Sequence, residues 1–297
     1  MKKVLLILNP RAGKGLIKGH VLEIVDIFVK NDMDVTVYTT QKRLDAYEVT
    51  KKRAGEFELV VCSGGDGTLD EVVTGILDGN HACPVGYIPA GSTNDFAHSL
   101  KIPSRMGEAA RIITLDHPYA CDIGSFNGDY FVYIAAFGAF TEVSYKTNQD
   151  MKNLFGHLAY MLEGTKSLFS IKPYKLRIEM EDLILEGDFI YGMVANSESV
   201  GGFRNITGKN VRLDDGVFEA VLIRNPMVAK DWEEVISGLL TRKADNRYVY
   251  FFKTSWIRIQ SEEPIAWTLD GEDGGMHTEV EIVNRKQAVK IMVKKNG

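Results

Sequence analysis

Along the first third of the chain, short apolar runs alternate with segments whose apolar positions recur every three or four residues. "VLLIL" (4–8) predicts a buried strand. "LIKGHVLEIVDIFVKN" (16–31) predicts a helix with Ile17, Val21, Ile24, Val25 and Phe28 on one face. "DVTVYTT" (34–40) reads as a strand, followed by a polar helical segment to about Gly55. "FELVVC" (57–62) is the next strand, Leu69–Leu77 a helix, "CPVGYIP" (83–89) a strand, and "TNDFAHSL" (93–100) opens a short helix. Such alternation predicts a parallel sheet covered on both faces.

After about residue 122 the period changes. "YFVYIAAF", "YKLRIEM", "ILEGDFIYGMVAN", "GVFEAVLI", "SWIRIQ", "IAWTL" and "TEVEIV" are β-rich and joined by turn residues, with helical patterns left near 154–169 and 227–240. This half predicts an antiparallel β domain, sandwich or barrel. The expected division is an α/β domain over 1–122 and a β domain over 123–285. The halves have no Pro/Gly/Ser linker, so the cleft between them is the default binding site.

The bulk numbers narrow the picture. A chain of 297 residues is about twice a typical domain. Its net charge of -5 argues against non-specific nucleic-acid binding, which needs clustered positive charge. Cys62, Cys83 and Cys121 form no CxxC pair, which suits small buried hydrophobes in a reducing cytosol. The apolar run Val4–Leu8 is too short for a signal core and stops at Asn9-Pro10, and no stretch approaches the roughly 20 apolar residues of a span. A cytoplasmic protein is the expectation.

Three loops leave strand ends with unusual chemistry: "NPRAGKG" (9–15), "SGGDGT" (63–68) and "PAGSTND" (89–95). Glycine lets backbone approach a ligand, and N–H groups at a helix start favour anions. Three such loops after successive strands point to a phosphate-rich ligand. Neither the Walker loop nor the dinucleotide fingerprint fits: "GKGLIKGH" lacks the hydroxyl residue after Gly-Lys, and Gly65-Asp66-Gly67 has no glycine at position 70. Asp66 is the informative residue. A carboxylate inside a phosphate loop repels the ligand unless a cation lies between them, which points to Mg²⁺. The plainer alternative is an Asp-Gly turn.

Two acidic motifs lie in the second half. "VRLDDG" (211–216) reads by itself as a turn. In "WTLDGE" (267–272), Asp270-Gly271 reads equally as a hairpin turn, or, with Glu272, as a strand ending in two carboxylates suited to metal binding or proton abstraction. The six histidines show no metal-ligand spacing.

"NPRAGKG", "SGGDGTLDEVVTGIL" and "PAGSTNDFAHSL" resemble the nucleotide-binding signatures of the diacylglycerol kinase catalytic-domain family, which includes sphingosine kinases and bacterial soluble lipid kinases. The resemblance continues through "CDIGSFNGDYFVYIAAFGAFTEV" and "SVGGFRNITGKNVRLDDGVFEAVLI" to "WTLDGE". The GGDGT core alone is shared with NAD kinases and, as GGDG, with 6-phosphofructokinases; the PxGSxNDFA and VRLDDG elements favour the lipid kinases.

The resemblance implies a parallel α/β nucleotide-binding domain, completed by the C-terminal segment 286–297, and a C-terminal β-sandwich domain for the lipid. It implies ATP held by Asn9, Pro10, Arg11, Ala12, Gly13, Thr40, Gly64, Gly65, Asp66, Gly67, Thr68, Glu71, Gly91, Ser92, Asn94 and Asp95. Ser92 stands where the family often has Thr, and Ala12 where many members have Ser. A structural Mg²⁺ is implied at the Asp215 carboxylate with the carbonyls of Arg212 and Val217. Asp270 is expected as general base with Glu272 beside it and Asp66 on the catalytic ion, and Asp122 as a member of the acidic network.

The expected function is an ATP-dependent lipid kinase of phospholipid metabolism, moving the γ-phosphoryl of Mg·ATP to a lipid hydroxyl, foremost that of diacylglycerol. Partners would be ATP, a membrane-derived lipid alcohol met by transient contact with the inner membrane face, and a second copy as homodimer. Rival readings are an NAD kinase and a nucleotide-sensing module without catalysis. "FVYIAAFGAF" and "LFGHLAYMLEGTKSLF" are candidate lipid-pocket segments, or simply core.

Overall fold

The computed structural model describes residues 1–138, 171–197, 199–200, 203–204, 211–241 and 246–295. The chain forms two units, Met1–Ile123 with Arg285–Gly297, and Gly124–Asn284.

In the first unit the apolar runs become β1 (Lys2–Leu8), β2 (Met33–Thr39), β3 (Leu59–Gly64) and β4 (Val85–Pro89). All pair in parallel, in the order β2-β1-β3-β4. β1, β3 and β4 carry continuous buried runs because helices cover the sheet. The helix expected from residue 16 is broken: a single turn of 3₁₀ helix, Leu16–Gly19, precedes α1 (Val21–Lys30). α1 buries Ile24, Ile27 and Phe28, so Ile27 takes the inward position expected of Val25. α2 is Asp45–Arg53, and α3 (Asp66–Asp78) starts three residues earlier than the apolar period suggests. α4 (Asp95–Ser99) is the short helix, and α5 (Met106–Thr114) was not legible as a separate element. α5 buries Ala109 and Ala110, whose small side chains give a weak apolar signal.

The chain enters the second unit along β5 (Pro118–Phe126). There β6 (Asp129–Phe131), β7 (Ile134–Gly138), β8 (Tyr174–Met180) and β9 (Leu183–Ala195) are followed by a small pair, β10 (Ser199–Val200) and β11 (Phe203–Arg204), then by β12 (Phe218–Arg224), β13 (Val249–Thr254), β14 (Trp256–Leu269) and β15 (Glu272–Met292). Pairing is antiparallel, running β13-β12-β9-β7-β14, with β8 against β9 and β14. "SWIRIQ" and "IAWTL" prove to be one strand, β14, with a register shift between Gln260 and Ile265. The core holds Phe131, Phe137, Phe189, Phe218 and Trp267, and the helical pattern near 227–240 is the helix Ala229–Thr241. The second candidate lipid segment and the end of the first lie outside the described residues.

β15 leads back to the first unit, where Ile291 pairs in parallel with Val85 of β4. Cys62 and Cys121 are buried, Cys83 is partly buried, and none of the three forms a disulfide.

Candidate active site

Strand order decides where the three glycine loops meet. From β1 the chain steps to β2 on one side and to β3 on the other. In an open parallel sheet that reversal leaves a crevice past the carboxyl ends of the strands. The loops after β1, β3 and β4 all leave from those ends.

The loops touch at backbone distance. Asn9 N–H donates to Ser63 O (2.9 Å) and Ala90 N–H to Gly64 O (2.7 Å). The Asn9 Nδ2 amide donates to Thr68 Oγ1 at 2.9 Å, while Asn9 Oδ1 accepts from Arg11 N–H at 3.0 Å. Gly13 has φ of 53°, and a Cβ there would lie 2.4 Å from the Ala90 carbonyl oxygen. A Cβ on Gly91 would lie 2.6 Å from the Gly65 Cα. At these two positions glycine is required by close approach, one loop against another.

Asp66 ties the second loop to the third. It sits in the first turn of α3, and its oxygens accept from the N–H groups of Asp95 (3.1 Å) and Phe96 (3.3 Å) at the start of α4. Burial first, and then the charge of Asp95, push Asp66 up to about 6. Asp95 itself is 1% exposed. Two carboxylates this close repel, and a hard divalent cation would relieve the repulsion, so the pair fits Mg²⁺. Arg11, Gly13 and Ser92 are exposed, and Pro10, Gly65, Gly67 and Gly91 partly so, while Ala12, Gly64 and Thr68 are buried. The arrangement offers backbone N–H groups and the start of α3 to an anion.

Asn94 was expected on the ligand. In the structure it is a left-handed residue, φ 54°, that braces its own loop: Oδ1 accepts from Gly91 N–H and Nδ2 donates to Gly91 O, both at 2.9 Å. The Tyr87 hydroxyl reaches Asn94 Oδ1 (3.3 Å) and Gly64 O (3.4 Å). Tyr87 escaped the sequence reading because it sits among the core positions of β4. Thr40 N–H donates to Leu8 O at 2.9 Å, holding the end of β2 against β1. Glu71 serves the start of α2, its two oxygens accepting from Leu44 (2.9 Å) and Ala46 (3.1 Å) N–H. Asp122 is buried and accepts from Gln287 N–H at 2.7 Å, where β5 meets the returning β15.

In the second unit, Asp270-Gly271 forms the tight turn joining β14 to β15, with φ of 51° and 83° and Leu269 opposite Glu272. The hairpin reading of these two residues describes the backbone, as the left-handed pair requires. The Asp270 side chain turns inward, 6% exposed, and accepts from the N–H groups of Val132 (2.5 Å), Tyr133 (3.0 Å) and Ile134 (2.9 Å). Glu272 is exposed.

At the second implied metal position, Asp215 Oδ1 accepts from Val217 N–H at 3.3 Å, and the Lys253 ammonium lies 3.7 Å from Oδ2. The Arg212 side chain pairs with Asp214 at 3.3 Å. A cation of the chain's own therefore stands beside Asp215, as another stands beside Asp214, and the residues do not fit Mg²⁺ there.

Comparison with known proteins agrees with the geometry. Residues 3–126 match the diacylglycerol kinase catalytic domain, and 134–293 match the YegS C-terminal NAD kinase beta sandwich-like domain. A diacylglycerol kinase of Bacillus subtilis is 31% identical over 93% of this chain and 91% of its own length. One from Staphylococcus epidermidis is 32% identical over 99% of this chain and 93% of its own. The crystal structure of a diacylglycerol kinase from Bacillus anthracis str. Sterne superposes with a TM-score of 0.78 at 24% identity, covering 99% of this chain and 97% of that one, and shows the same fold. The glycine loops, the β-sandwich-like second unit and these relatives place the chain in the diacylglycerol kinase catalytic-domain family, as a lipid kinase.

Proposed function

We propose that the protein transfers the γ-phosphoryl of Mg·ATP to the free hydroxyl of diacylglycerol, giving phosphatidic acid and ADP. One observation carries this reading. Three glycine loops meet at backbone distance around Asp66, beside Asp95, where a triphosphate with its cation finds both N–H donors and carboxylates. Phosphoryl transfer demands mainly positioning and charge neutralisation, and this constellation supplies both.

Asp66 and Asp95 would hold the ion, which shields the phosphate oxygens as charge builds on them. The loop backbones of 10–13, 64–68 and 91–92 would seat the phosphates, with Asn9 fixing the first loop against Thr68. The acceptor oxygen forms the new P–O bond as the bridge to ADP breaks, and its proton passes to a carboxylate. Asp270 is the proposed acceptor of that proton, with Glu272 orienting the alcohol. The three N–H groups on Asp270 set its oxygens in place, so its turn is part of the proposal. No described helix is long and apolar enough to cross a membrane, so the lipid would be met by peripheral contact.

Labelled ATP incubated with the protein and a panel of diacylglycerol, sphingosine, a prenol and NAD checks this directly. Label in phosphatidic acid is the expected result. Label in NADP would establish the NAD kinase reading, and ATP binding without transfer the sensing module.

A further inference from the structure

Across the β12–β13 register, Glu219 faces Lys253. Glu219 is only 4% exposed, an unusual place for a glutamate. Its Oε1 lies 2.9 Å from the Lys253 ammonium, and its Oε2 is buried with no hydrogen-bond partner. The same ammonium lies 3.7 Å from Asp215 Oδ2, in the turn four residues before Glu219. One lysine thus sits between two carboxylates, one buried and one at the mouth of the Asp-Asp-Gly turn.

We propose that Lys253 supplies from within the chain the positive charge of this turn, making Asp215–Lys253–Glu219 a latch on the β12–β13 pair and not a divalent-ion site. The argument is one of charge and competition. Glu219 cannot be left alone, because a buried carboxylate without a partner is strongly unfavourable. Lys253 is tethered opposite it, at an effective concentration no free ion matches. Burial raises Glu219 and its bond to Lys253 opposes that, while the same bond raises Lys253, so each stabilises the charged form of the other. A Mg²⁺ ion at Asp215 would stand next to this ammonium, and the two like charges would repel.

Thermal unfolding of the full chain without nucleotide, in EDTA and in millimolar Mg²⁺, tests the latch. The wild type and Asp215→Asn are expected to show the same Mg²⁺ response, including any part that arises at Asp66. Lys253→Met should lower the metal-free Tm by several degrees and Lys253→Arg by much less. Adding Glu219→Gln to Lys253→Met should recover most of the loss, because the unpaired buried charge is then gone. A Mg²⁺ increment in the wild type that disappears in Asp215→Asn would overturn the proposal, and so would Lys253→Met melting with the wild type. The first comparison decides the matter even if Lys253→Met does not fold.

Discussion

Each unit brings two carboxylates together, and the two pairs are managed differently. In the first, Asp66 lies beside Asp95 and is met by backbone N–H groups at the start of α4. In the second, Asp215 and Glu219 share the Lys253 ammonium. At Asp66 the backbone N–H groups oppose burial and the charge of Asp95 without outweighing them, whereas at Glu219 a full positive charge faces the buried carboxylate. The difference teaches that acidic motifs of similar appearance, Asp-Gly in one loop and Asp-Asp-Gly in another, are to be read by what faces them. The first pair suits a transient ion carrying a nucleotide, the second a permanent strut.

The sharpest way to break this comparison is to remove Asp66. Asp66→Ala is expected to lower Mg-dependent turnover of ATP by at least about 10²-fold, while Asp215→Asn stays within a few-fold of wild type. Equal losses in both would dissolve the distinction; steady-state kinetics at saturating Mg·ATP measure it. The fold should survive Asp66→Ala, since a helix-start contact of this kind contributes about 1 kcal/mol.

Asp270 comes next. Removal of a general base costs about 10²–10⁴-fold in kcat, and Asp270→Asn should show that loss with nucleotide affinity within a few-fold. Because an asparagine Nδ2 would also face the N–H groups of Val132–Ile134, the Tm should fall as well. A kcat close to wild type at a lowered Tm would leave Asp270 with the turn alone.

Gly91→Ala is expected to weaken ATP binding by about tenfold, a loss of about 1.4 kcal/mol. Its Cβ would be driven into the Gly65 Cα, separating the second and third loops. Calorimetric titration with a non-hydrolysable ATP analogue checks it, and Gly128→Ala, at a hairpin of the second unit with φ of 95°, serves as the control that strains the backbone and lowers the Tm but leaves ATP affinity unchanged.

The smallest effect concerns acid. Burial would raise Glu181, but hydrogen bonds from Ser255 and Thr254 outweigh it and bring it down to about 2, from an ordinary 4.5. Its carboxylate accepts from Ser255 N–H (2.7 Å), Ser255 Oγ (2.6 Å) and Thr254 Oγ1 (2.6 Å), joining the β8–β9 turn to the β13–β14 turn. A folded-state pKa below the unfolded one stabilises the fold above pH 4.5 and loses that contribution as pH falls toward 2. Glu181→Gln should therefore lower the Tm slightly at pH 7 and match wild type near pH 2, as thermal melts across that range would show.

Much of the first unit was legible because its signals are local. Apolar runs, helix periods and glycines at strand ends are properties of neighbouring residues, and they gave the parallel sheet and the three loops. α5 and the break at Gly19-His20 were not, since small residues and a single turn blur the period. Asp66 stood out as a charge in an anion loop, but its partners, Asp95 and Phe96 N–H, come from a loop some thirty residues on. In the second unit Asp270-Gly271 declared a tight turn, whereas nothing near it announced that the side chain would reach back to Val132–Ile134.

The sequence by itself therefore determined most of the element types and the family. Tertiary structure decided which charges meet. Glu219 and Lys253 lie on strands separated by a helix, and only the β12–β13 register brings them to 2.9 Å. The same holds for Glu71, whose carboxylate serves α2 because α3 packs beside it. A carboxylate's role follows from the donor or cation opposite it, and that partner is set by strand order and register, which no local pattern encodes.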